Sequence, residues 1–184
     1  MPTAQLTTLT ASALGCTNTG GIARVYIAEA KYISAIATTS DAISGFTMTT
    51  TGKWFKWEPS MDDTANWVEA FNRNGSRRTY TQTLFMRYAG IDVATKKAQI
   101  DAAMTCDVVA IVIMNDGAKY VQGLEIDSSA VSGFKLSAIE RTLIQPGTNS
   151  DVASGTARIE FTINGTANLP ASPTTLTESA LAAL

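Results

Sequence analysis

The order of apolar and polar positions along this chain is mostly that of strands. Residues 22–30 (IARVYIAEA) have strand character, and residues 33–37 (ISAIA) and 43–51 (ISGFTMTTT) follow between small polar residues. Residues 53–59 (KWFKWEP) alternate: Lys53, Phe55 and Trp57 oppose Trp54, Lys56 and Glu58, and Pro59 ends the run because proline cannot donate to a ladder. Residues 75–88 (GSRRTYTQTLFMRY) form the longest strand-like run. A strand usually has about 5–6 residues, whereas this run could reach about 46 Å at roughly 3.3 Å per residue. Its two faces differ. Arg78, Tyr80, Gln82, Leu84, Met86 and Tyr88 turn apolar toward one end, while Arg77, Thr79, Thr81, Thr83, Phe85 and Arg87 make a threonine row bracketed by charge. Asn74-Gly75 before it signals a hairpin, with both residues tolerant of positive φ, so the run is expected to fold back on residues 63–72.

One helix signal follows, at about residues 92–105. Asp92 can cap it, and Val93, Ile100, Ala103 and Met104 fall near one face. Residues 108–114 (VVAIVIM) are apolar on both faces, as a central strand covered on both sides would be. Asn115-Asp116-Gly117 turns the chain into residues 119–126 (KYVQGLEI). Residues 134–144 read as one strand with an irregularity, residues 145–156 as a long loop, and residues 158–165 as a strand with Ile159, Phe161 and Ile163 inward. The expected architecture is an antiparallel β-sandwich or barrel of about nine strands with one packed helix. Its domain spans residues 21–170, between an N-terminal arm at residues 1–20 and a C-terminal extension at residues 171–184.

Composition narrows the function more than it names one. Charged residues make up 16% of the 184, against about 25% in an average domain, and a surface so poor in charge favours self-association. The net charge is −2, which argues against a general attraction to nucleic acid or membrane. Residues 51–100 carry eight Lys/Arg and five Asp/Glu, whereas residues 101–184 carry four and nine. No histidine is present, so the usual serine, cysteine and metal constellations lose their commonest member. Cys16 and Cys106 are far apart in sequence and do not read as a disulfide framework; Cys106 reads as a small buried residue. The first residues lack the charge and apolar core of a secretory signal, and the longest apolar run is too short for a membrane helix. Glu29 and Lys31 read as a surface pair, and Trp54, Trp57 and Trp67 as packing residues more than as a ligand platform.

In their order and texture, four stretches resemble the tail tube proteins of tailed bacteriophages, whose fold also serves contractile injection systems: GGIARVYIAEA, AGIDVATKKAQIDAAM, VVAIVIMNDGAKYVQGLE and ARIEFTINGTANLPA. The resemblance implies a virion structural protein, made in the host cytoplasm, with no catalytic residue and no cofactor or metal. It implies six-membered rings stacked into a tube, in which each copy adds strands to a continuous inner barrel. The partners implied are other copies of the chain, other tail proteins, and DNA that passes through without specific binding; no membrane is involved. On this reading Thr79, Thr81 and Thr83 line the channel, and Arg77 and Arg87 sit at ring faces or pair with carboxylates. Arg73, Asn74, Arg77 and Arg78 at the hairpin, with Pro146, Asn149 and Asp151 in the long loop, are candidates for contacts between copies. The alternatives are another virion ring component (a terminator, connector or decoration protein) or a β-sandwich that binds sugar or protein at a surface with its tryptophans exposed. An enzyme with a carboxylate site is a further alternative.

Overall fold

A computed structural model of the chain describes residues 21–40, 42–58, 65–89, 93–127, 130–134, 138–144 and 158–183. The expectations for Asp92 as a helix cap, for the N-terminal arm and for the loop at 145–156 lie outside these residues.

The described chain is mainly β, with antiparallel sheets and two helices. Strand β1 (Ile22–Glu29) runs into a short 3-10 turn at Ala30–Tyr32. Strands β2 (Ile33–Thr39) and β3 (Ala42–Met48) then make a hairpin of their own, followed by β4 (Phe55–Trp57). Next come the two long strands β5 (Asn66–Asn74) and β6 (Arg77–Ala89), then helix α1 (Val93–Ala103). Strands β7 (Val108–Met114), β8 (Lys119–Gln122), β9 (Leu124–Asp127) and β10 (Ala130–Phe134) follow. Strands β11 (Ala138–Ile144), β12 (Arg158–Ala167) and β13 (Ser172–Pro173) and helix α2 (Glu178–Ala183) complete the order.

Two sheets organise these elements. The first has the order β13-β8-β7-β1-β4 and the second β11-β12-β6-β5; β9 and β10 pair with each other. Strand β7 lies inside the first sheet, and its unbroken apolar run serves two cores. Val108, Ala110 and Val112 join Leu84, Met86, Phe161 and Ile163 of the second sheet, while Val109, Ile111 and Ile113 join Phe46, Leu124, Leu176 and Leu181 on the other side. A run apolar on both faces is the mark of a strand covered twice. In β1 a register shift between Ile22 and Arg24 resets the alternation, so Ile22 and Val25, three residues apart, enter the same core. Helix α1 lies against β6, β11 and β12 and adds Ile100 and Ala103 to that core.

Several expectations need correction. The described residues form thirteen strands and two helices, more than the nine strands and one helix expected. Residues 119–126 are not one strand: Gly123, at φ 89°, breaks the run so that β8 stays in the first sheet while β9 leaves to pair with β10. Residues 134–144 divide between β10 and β11, which lie in different sheets. Met104 follows the helix and is exposed rather than packed. The C-terminal residues return to the domain. Strand β13 pairs with β8, Thr174 donates to the Ile43 carbonyl at 2.8 Å, and Leu176 and Leu181 close the second core.

Candidate assembly surface

The 75–88 run owes its two faces to strand alternation. In β6, Gln82, Leu84 and Met86 are buried, whereas Thr79, Thr81, Thr83, Phe85 and Arg87 lie half-buried on the opposite face. Register carries that outer face across the sheet. Thr79, Thr81 and Thr83 stand opposite Asn72, Ala70 and Val68 of β5, and Thr81 and Thr83 stand opposite Thr166 and Asn164 of β12. The result is a short-chained, neutral surface, further tied down by a hydrogen bond from the Asn72 amide to the Thr81 hydroxyl (3.1 Å). Its charged positions lie at its limits, Glu140 among them on the edge strand β11, opposite Thr162 in register. Arg87 faces Glu160 across the β6–β12 pair and binds it at 3.0 Å, and Arg77 sits at the hairpin end.

The hairpin turns on Gly75-Ser76, between the paired residues Asn74 and Arg77. Gly75 alone takes positive φ, at 60°, which is the geometry of a two-residue turn with glycine at its first central position. The sequence reading placed both Asn74 and Gly75 in the turn; Asn74 belongs to the strand instead. Toward the tip the core gives out beneath the hairpin. Gln82 is fully buried, Tyr80 half-buried and Arg78 exposed, while Phe71, paired with Tyr80, is 54% exposed. Arg73, Arg77 and Arg78 are all exposed, and among the described residues no carboxylate pairs with them; Arg73 donates only to the Gly75 carbonyl beside it. Pro146, Asn149 and Asp151 lie outside the described residues, and of Asn74 only the backbone is described.

Sequence reasoning missed a buried polar seam that holds the hairpin against the first sheet. The Gln82 amide donates to Glu69 (2.7 Å), and its oxygen accepts the Gly123 N–H (2.6 Å). Gln122 donates to the carbonyls of Gln82 and Ile163, each at 3.1 Å, and Glu69 also accepts the Ala171 N–H (2.6 Å). Beside this seam Trp67 stacks on Tyr120, with ring centroids 5.4 Å apart. The only sequence signal was a glutamine on the apolar face of β6.

Other candidate chemistry is structural in character. Glu29 is 1% exposed and meets Lys31 at 2.5 Å, so the expected surface pair has its carboxylate buried at the end of β1. Burial pushes the nearby Cys106 thiol above its ordinary range, and Glu29 adds to the rise, an environment that holds the sulfur protonated. Trp54 and Trp57 are buried and pack on Phe46 and Phe161. Among the described residues there is no group of three or more potential metal ligands and no helix long and apolar enough to cross a membrane. The chain matches no protein-family model, no curated protein and no solved structure.

Proposed function

We propose that this protein is a tail tube protein of the tailed-phage type, a structural subunit that closes into rings and stacks into a conduit for DNA. The observation that carries the reading is the second sheet. Three of its strands, β5, β6 and β12, turn one face to the core and a neutral face rich in threonine and asparagine outward, and the register stands Glu140 of the edge strand β11 opposite Thr162. Both of its edges, β5 and β11, lack a strand partner among the described residues. An unpaired edge is a template for another chain, and β5 adds the exposed Val68 and Phe71 to it. Joining β5 of one copy to β11 of the next would satisfy both edges and continue the sheet around a ring.

The dimensions agree with a channel. Six copies, the number the resemblance implies, would close four-stranded sheets into a barrel of about 24 strands. Barrels of about 8 strands are filled by side chains and those of 16–18 already leave an aqueous channel, so a barrel of that size has an open bore. The threonine face would then line it. Every lysine or arginine that neutralises a phosphate releases counterions and adds affinity, and repeated along a tube this would retard the passing duplex. Thr79, Thr81 and Thr83 offer hydration without charge, and the Arg87–Glu160 pair cancels its own.

A surface-binding sandwich that reads its ligand with tryptophans is poorly served, since Trp54 and Trp57 are buried and Trp67 is stacked on Tyr120. The deciding experiment is negative-stain electron microscopy of the purified chain over a concentration series, with mass measured in parallel. Hollow tubes or closed rings are expected; a chain that remains monomeric at every concentration refutes the reading.

A further inference from the structure

We infer that the overhanging β5–β6 hairpin of one copy docks onto the β7–β8 turn of the copy stacked beyond it, through an aromatic–arginine face meeting an acidic turn. This rests on the tube reading and specifies which surfaces join successive rings.

The two surfaces lie at opposite ends of the molecule. Where the sheets face each other, β5 and β8 run in the same direction. Trp67 stacks on Tyr120, and two residues further along each strand Glu69 and Gln122 meet through Gln82. The hairpin tip continues past Glu69. The turn at residues 115–118 precedes Lys119, so it falls at the other end. A second contact agrees: the Asn115 N–H donates to the Gly21 carbonyl, and Gly21 lies against the Ala65 carbonyl at the start of β5.

The surfaces also match in chemistry. Strand pairing puts Phe71, Arg73, Arg78 and Tyr80 on one face of the hairpin, the face that would be core if the first sheet extended that far. Phe71 and Tyr80 rings lie 5.4 Å apart, and both arginines are exposed. A copy stacked head to tail brings the end of its own first sheet under this overhang. That end is the exposed turn Asn115-Asp116-Gly117, flanked by the half-buried Met114 and Ala118. One Asp116 oxygen accepts the Ala118 N–H (2.9 Å), and among the described residues no lysine or arginine pairs with this carboxylate. An unpaired arginine pair beside an aromatic face and an unpaired carboxylate beside apolar side chains are complementary, and complementary charge also fixes orientation. The same arrangement disfavours tip-to-tip association, which would oppose arginines.

The test uses the full chain and three variants: Arg73→Glu/Arg78→Glu, Asp116→Lys, and all three changes together. Asp116→Asn serves as a folding control, because its side-chain oxygen keeps the bond to Ala118. Ring closure is read by mass and stacking by tube length in electron micrographs, at low and high salt. The arginine reversal is expected to raise the concentration needed for tubes at least about tenfold while rings still close, and the triple variant is expected to recover most of that loss. Tubes that form equally well from the arginine-reversed chain, or no recovery in the triple variant, overturn the inference and leave the tube reading standing. Absence of any ring from the unmodified chain overturns both.

Discussion

At the residue scale, the most consequential side chain is Gln82. It is fully buried and holds three partners: Glu69 on β5, the Gly123 N–H after β8, and, through its own carbonyl, Gln122 at the end of β8. Replacing it with leucine keeps the volume roughly constant but strands the Gly123 N–H and removes a donor from Glu69. A buried donor left unsatisfied costs about 1–3 kcal/mol. Gln82→Leu is therefore expected to destabilise the monomer by about 2–3 kcal/mol, read as a lower urea midpoint with an unchanged slope. A stability equal to that of the unmodified chain would mean that the seam is not a structural tie. The residue was visible in the sequence as a polar interruption on an apolar face, and Glu69 faces it across the hairpin, but Gln122 and Gly123 lie 40 and 41 residues away along the chain, and no local pattern points to them.

At the element scale, the hairpin and the C-terminal segment each have a separable determinant. Gly75 needs positive φ, and a Cβ there would meet nothing within 4 Å. The penalty of Gly75→Ala is thus conformational alone, about 1 kcal/mol, measurable by denaturation; a loss several times larger would indicate that the turn makes contacts of its own. The C-terminal segment is held by burial more than by charge. Leu181 is fully buried in the second core, whereas the Arg24–Glu178 bridge at 2.6 Å is more than a third exposed on the glutamate side. Leu181→Ala is expected to cost about 2–4 kcal/mol and Glu178→Gln less than about 1 kcal/mol. The reverse ranking in thermal or chemical denaturation would contradict this account. Strand β12 was legible from its alternation and β7 from its unbroken apolar run, while helix α1 was legible from the few apolar residues, Ile100 and Ala103 among them, that share one face. The division of residues 119–126 was not, because Gly123 looks like any strand glycine until the next strand is seen in another sheet.

At the scale of the whole molecule, the second sheet is where the fold meets the proposed function. On strands β5, β6 and β12 its outer face carries no uncompensated charge between the hairpin and the Arg87–Glu160 pair among the described residues, and the register stands Glu140 opposite Thr162 on the edge strand β11. On the tube reading, Thr81→Lys leaves folding and ring closure intact, since Thr81 is only half-buried and packs on no core. It is expected to make assembled tubes retain double-stranded DNA at low salt and release it as salt rises, because each added cation releases counterions on binding phosphate. Retention can be read by co-sedimentation. Tubes that bind DNA no better than before would place this face away from the channel.

Local pattern was enough to determine that the chain is built of antiparallel strands, that the run at 75–88, found as a strand over 77–89, has a core face and a threonine face, and that residues 108–114 are covered twice. These follow from side-chain alternation and burial, which are written residue by residue. Only the tertiary structure decided that the strands divide into two larger sheets and two hairpin pairs, with a core on each side of the first sheet. It alone placed the C-terminal helix over the second core, joined the sheets by a glutamine seam, and carried the hairpin beyond its own core with arginines and aromatics on one face. Each of those depends on which distant segments meet, and pairing between segments is set by the whole packing free energy rather than by any one stretch of sequence.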